Sequence, residues 1–198
     1  MAGELQLGGS TVATHTGSGA SAVVTIDSGV KFPAGTIIGY QRDTNNNVQT
    51  LTGNYSNNAQ PTSSGGNLVC SVTHTAKANS KLLLHAIIYA SEVSNQGDHV
   101  AVAFFKDTTF IGMHYLQASD PGGAAFNTQL QCFNCNIEHT PADTNSHVYS
   151  VRIGMNGTGN LILNDSARAD SVNTDYGNSD SSKTFTEGCS LTLMEIAQ

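Results

Sequence analysis

Short runs of alternating apolar and polar residues recur along this chain. Each is closed by a cluster of turn-forming residues, and that rhythm restricts the chain to a β fold. The runs are AVVTID at 22–27, GTIIGYQR at 35–42, VQTL at 48–51, NLVCSVTH at 67–74, KLLLHAIIYAS at 81–91 and HVAVAFFKD at 99–107. TFIGMHYLQ at 109–117, AFNTQLQCFNCNIE at 125–138, HVYSVRIGMN at 147–156, NLILND at 160–165 and GCSLTLMEIAQ at 188–198 continue the series. Turn clusters such as DTNNN, SSGGN, SNQGD, DPGG and NGTGN separate them. About ten antiparallel strands at this spacing, with no convincing helical period, predict an all-β jelly-roll β-sandwich. KLLLHAIIYA is apolar throughout, but its Ile pair and short length predict a central strand with no wet face rather than a helix. Hairpins are expected around Asp107 and Gly157.

Composition supports the same class. Charged residues make up 12% of the 198 residues, against about 25% in ordinary globular chains. The polar surface must then be built from Ser, Thr, Asn, Gln and Gly, which compete with helix hydrogen bonds or weaken helices. A net charge of -7 argues against a nucleic-acid partner, whose binders cluster Lys and Arg. No apolar stretch approaches the length of a membrane span. The start, MAGELQLGGS, lacks the basic region and apolar run of a signal peptide, so synthesis in a cytoplasm is expected.

Residues 1–33 differ from the rest. LGGSTVATHTGSGASA is small and almost uncharged, and a segment this rich in Gly and Ser does not order itself in isolation. The expected organisation is an attachment arm at 1–33 and a jelly-roll domain at 34–198. Within the arm, Val23, Val24 and Ile26, with Leu5 and Leu7, are the candidate attachment residues. They are the side chains able to add strands to an exposed sheet edge on a partner.

Three stretches carry a resemblance. FPAGTIIGYQ at 32–41, ANSKLLLHAIIYAS at 78–91 and LTLMEIAQ at 191–198 resemble a family of tailed-bacteriophage virion proteins. In that family a strand after PAGT opens the domain, an SSK-type strand forms its core, and a TLMEI strand closes it. VAFFKDTTFIG at 102–112 is similar to the family's hairpin, with Lys106 where Arg is usual. The resemblance covers 32–198 in order and is loosest in 119–185. It implies a jelly-roll module, commonly trimeric, on the surface of a phage particle, attached through its N-terminal side. More apolar strand positions than one sandwich core requires also point to a homotrimer.

Catalytic and metal readings find little support. No G-x-S-x-G is present, and no Ser, His and Asp stand in a recognisable order. Cys132 and Cys135 lie three apart on a strand and so point to opposite faces. With Cys70 and Cys189 isolated, the reading favours four buried free thiols over a disulfide or a zinc site. His85, mid-strand, is expected as a satisfied core or interface histidine. The acidic segment holding Asp165, Asp170, Asp175 and Asp180 lacks the spacing of a calcium loop. Tyr55 and Tyr176 are the loop aromatics that could stack on a sugar. The sequence therefore predicts no enzyme, no cofactor and no metal. It predicts a structural protein of the virion surface, most simply a capsid decoration (cement) protein bound to the phage major capsid protein. A tail-fibre or receptor-binding role, with tail proteins and a host receptor as partners, is the alternative.

Overall fold

Backbone hydrogen-bonding groups must be paired when buried, and here strand ladders do the pairing. The structure, a computed structural model, describes residues 3–7, 10–16, 23–26, 30–55, 59–92, 99–117, 131–156, 160–164 and 188–198. Among them every element is a strand, every pairing is antiparallel, and no helix is long and apolar enough to cross a membrane. The chain divides into two compact units, Met1–Thr36 and Ile37–Gln198.

The first unit holds a three-stranded meander: β1 (Gly3–Leu7), β2 (Ser10–Thr16) and β3 (Val23–Ile26), in that order across the sheet. The sequence reading named a run only at 22–27. β2, STVATHT, carries its strand preference in β-branched Thr and Val rather than in an apolar alternation.

The second unit contains β4 (Ile37–Asn45), β5 (Gln49–Leu51), β6 (Asn67–Thr75), β7 (Ser80–Glu92) and β8 (His99–Lys106). It continues with β9 (Thr109–Gln117), β10 (Gln131–His139), β11 (Ser146–Asn156), β12 (Leu161–Leu163) and β13 (Cys189–Ala197). One sheet runs β6-β11-β8-β9. The other is organised around β7. Ala86 pairs with both Cys135 of β10 and Leu191 of β13, and Ala90 with both Gln131 of β10 and Leu163 of β12. β10 therefore takes one edge of β7, while β13 and β12 follow each other along the opposite edge. β4 and β5 pair outside β13 and β12 respectively. Alternation puts Leu82, Leu84, Ala86, Ile88 and Ala90 of β7 inward, all fully buried. They join Phe104, Val151, Ile153, Leu191 and Leu193 in one core shared by both sheets. Burying each Leu, Ile, Val or Phe side chain among them contributes about 1.5–3 kcal/mol.

The expected hairpin at Asp107 is present: Lys106 pairs with Thr109, and Asp107 adopts a left-handed φ of 51°. The expected hairpin at Gly157 is not, because β11 and β12 lie in different sheets. At one end of the unit lie the connections 76–79, 107–108 and 140–145, with the start of β4 and the end of β13. The strand ends that flank 52–66, 93–98 and 118–130 lie at the opposite end, whereas those that flank 165–187 meet at the seam between β12 and β13, beside Ala90 and Ile87 of β7.

Candidate attachment and interaction surfaces

The five expected attachment residues fall on the two outer strands of the first unit. Leu5 and Leu7 lie on β1, and Val23, Val24 and Ile26 on β3. Leu5 pairs with Ala13, which pairs with Ile26, so these three form one row across the sheet. His15, two residues along β2, pairs with Gly3 and Val24. Val23 sits opposite Thr16, on the alternate rows, and Leu7 sits opposite Ser10 beyond an irregularity between Leu5 and Gln6. Leu5 is 59% exposed. A leucine so placed on an outer strand suits contact with a second surface.

In the second unit the two outer faces differ. On the sheet containing β8, Phe105, Ala101 and Ala103 point away from the main core yet are buried, with Tyr55 covering them. Tyr55 is fixed there by its N–H donating to Met155 O at 2.9 Å. Arg152 holds the same connection, donating from Nε to Gly65 O at 3.0 Å and from Nη2 to Gly66 O at 3.2 Å. Tyr55 is thus a packing residue and not an exposed platform for sugar. Burial pushes its phenol well above the usual range.

The outer face of the β7 sheet has no such cover among the described residues. Register aligns Tyr40, Met194, Leu83 and Glu138 in one row and Arg42, Thr192, His85 and Asn136 in the next. Ile37, Ile196 and Lys81 form a third. Leu83, Ile87, Tyr89, Met194 and Ile196 remain partly accessible, while Ile37 and Tyr40 are 57% and 56% exposed. His85 lies in the middle of this face, its Nε2 2.7 Å from Asn134 Oδ1. It is a satisfied histidine, as expected, and it lies on the outer face of the sheet rather than in the core.

Two polar nodes fix the second unit, one at an end of the sandwich and one at a seam within a sheet. At the short-turn end Glu195 points into the core, 2% exposed. Its Oε2 lies 3.0 Å from His74 Nε2, and its Oε1 accepts from the Lys77 N–H. Beside it, His147 stands between two carboxylates, with Nδ1 2.7 Å from Asp107 Oδ2 and Nε2 2.8 Å from Asp143 Oδ1. Lys106 Nζ donates to Asp143 Oδ2 at 3.2 Å. At the seam between β12 and β13, Asn164 is fully buried with a left-handed φ of 53°. Its N–H donates to Tyr89 O at 2.9 Å, and its Nδ2 donates to Asn45 O at 2.8 Å and Asn47 O at 3.0 Å. Its Oδ1 accepts from Cys189 Sγ at 3.2 Å. One residue thereby ties β12 to β7, to β13, and to the end of β4 and the connection that follows it.

Sequence reasoning missed both nodes. Glu195 carried a usable signal, since period 2 puts it in phase with core residues Leu191 and Leu193. Asn164 carried none beyond its position at the end of a strand.

All four cysteines are free. Cys132 and Cys135 take opposite faces of β10, as their spacing predicts. Cys132, however, is exposed, where a buried thiol was expected, because it lies in the outward row of an outer strand. Burial pushes Cys70 up to about 12 and Cys135 and Cys189 up to about 11, so none of these three is a thiolate nucleophile near neutrality. Among the described residues no group of three or more His, Cys, Asp or Glu side chains could hold a metal ion. The acidic segment from Asp165 to Asp180 and Tyr176 lie outside the described residues. No protein-family model matches the chain, and no curated protein matches it.

Proposed function

We infer that this chain is a non-enzymatic structural protein of a bacteriophage particle, a capsid decoration protein that binds the outer shell and stabilises it. The observation that carries the reading is the first unit. Its described strands form a single layer with Leu5 exposed, and a single sheet needs a second surface to cover one face. A major capsid protein supplies that surface, and the first unit is the part that attaches. Binding that occurs only on the finished shell stabilises the shell by mass action.

The second unit fits a jelly roll. Taking β4 with β5 and β12 with β13 as two broken strands leaves eight, arranged as first-eighth-third-sixth and second-seventh-fourth-fifth, the order expected of that fold. The phage resemblance adds the setting and the homotrimer. The accessible apolar rows of Leu83, Ile87 and Met194 on β7 and β13 supply a face for subunit contact.

A tail-fibre or receptor-binding role is favoured by one feature. The strand ends that flank connections 52–66, 93–98 and 118–130 lie at the end opposite Ile37, and connections clustered at one end of a rigid scaffold suit recognition.

The test is sedimentation of particles lacking the protein after mixing with intact chain or with a chain deleted for residues 1–30. Intact protein should co-sediment. The deleted protein should stay in the supernatant while remaining folded and oligomeric. Undiminished co-sedimentation of the deleted protein would place attachment on the second unit instead.

A further inference from the structure

We propose that His147 is the key of a proton-operated latch that ties the β8–β9 turn to the β10–β11 connection at the short-turn end of the sandwich. Both of its ring nitrogens face carboxylate oxygens, Asp107 Oδ2 on one side and Asp143 Oδ1 on the other. Ionised carboxylates only accept hydrogen bonds, so both contacts are made at once only by an imidazolium donating from Nδ1 and Nε2. The two carboxylates belong to different connections, and each is anchored to backbone. Asp107 Oδ1 accepts from the Val148 N–H at 2.9 Å, and the Asp107 N–H donates to Val148 O at 2.7 Å. Asp143 Oδ1 also accepts from the Asn145 N–H at 2.8 Å. The proton on His147 therefore adds a side-chain link between the two turns, beside the Lys106–Asp143 bond and the Asp107–Val148 bonds.

The surroundings set the direction of the switch. Lys106 of β8 lies against Asp143, His139 of β10 and Tyr149 of β11 pack with their rings 6.0 Å apart, and Glu195 of β13 stands beyond Tyr149. His74 of β6 is opposite His147 in register but is engaged by Glu195. Hydrogen bonds to Asp143 and then Asp107 raise the His147 pKa. Asp143 is lowered by the His147 bond, and Asp107 by the Val148 N–H and then His147. Burial, followed by Lys106 and His147, lowers His139. A group with a raised folded pKa contributes stability below its unfolded value, about 6.5, and loses it as pH climbs through the folded value. The latch is thus closed below the ordinary imidazole value and opens as pH rises through the raised folded value of His147, while Tyr149, pushed up to about 12, stays neutral throughout.

Hydrogen–deuterium exchange of the full-length protein at pH 6 and pH 9, corrected for intrinsic exchange, tests this. Peptides spanning 105–108 and 143–149 should lose at least threefold in protection at pH 9, and a peptide from 82–90 should not. H147Q should show the low value at both pH values. Because that variant could disturb folding, the wild-type His147 ring is also titrated by NMR and should hold its proton above the ordinary imidazole range. Protection in wild type that is equal at both pH values, or a His147 ring titrating at or below the ordinary value, would overturn the proposal.

Discussion

Gly39 of β4 pairs with Glu195 of β13, and the missing side chain at Gly39 is what leaves room for the Glu195 carboxylate inside the sandwich. A Cβ there would stand 2.9 Å from Glu195 Oε2 and 3.1 Å from the His74 ring. The neighbour that would have to give is held on both oxygens, by His74 and by the Lys77 amide. Gly39→Ala is therefore expected to destabilise the second unit by about 1–3 kcal/mol through overpacking. Glu195→Leu takes the carboxylate away from the buried His74 and from the Lys77 amide and should cost about 3 kcal/mol. Urea unfolding at pH 7 checks both, and a G39A variant as stable as wild type would refute the steric account.

This node also shows what the sequence disclosed. The opening and closing stretches, TIIGYQ and TLMEI, were legible as strands from alternation, and they prove to be neighbours whose Gly and Glu share one site. KLLLHAIIYAS was legible as the central strand because it is apolar in both phases, with Leu82, Leu84, Ala86, Ile88 and Ala90 in one and Leu83, Ile87 and Tyr89 in the other. β2 was missed because Thr-rich strands have no apolar rhythm. The separation of β11 from β12 was missed because a short Gly-containing connection looks the same whether the next strand pairs or crosses to the other sheet. Cys132 was misjudged because burial depends on which edge of the sheet a strand occupies. The candidate attachment residues were legible as strand formers, and the sheet that joins them depended on β2.

Asn164 combines a left-handed backbone with two donated side-chain bonds. Asn164→Ala loses both bonds and adds a backbone cost of about 1–2 kcal/mol, for a total loss near 3 kcal/mol. Asn164→Gly avoids the backbone part and should be the milder change in urea unfolding. Equal losses in the two variants would mean that the conformation contributes nothing.

Thiol accessibility separates Cys132 from the rest. In native protein one cysteine of four should react with a thiol reagent such as DTNB, and Cys132→Ser should abolish that reaction. Denaturant should expose the other three, whose raised pKa values and burial protect them. Rapid native reaction of two or more thiols would contradict the arrangement of β6, β10 and β13.

Subunit contact through the outer face of the β7 sheet has its own signature. Light scattering of purified protein should give close to three times the 20.7 kDa chain mass. Leu83→Glu, a change on a partly accessible outward row, should yield monomer without unfolding the sandwich, since a charge in an apolar contact is costly. A monomeric wild type, or an L83E variant that remains trimeric, would rule out this face.

The central claim, a surface structural protein present in many copies on a phage shell, is tested most directly by its abundance in purified particles. A stained gel of such particles, with this chain's band compared to that of the major capsid protein, should give hundreds of copies per particle. A handful per particle would assign the chain to a tail fibre, and its absence from purified particles would contradict the account altogether.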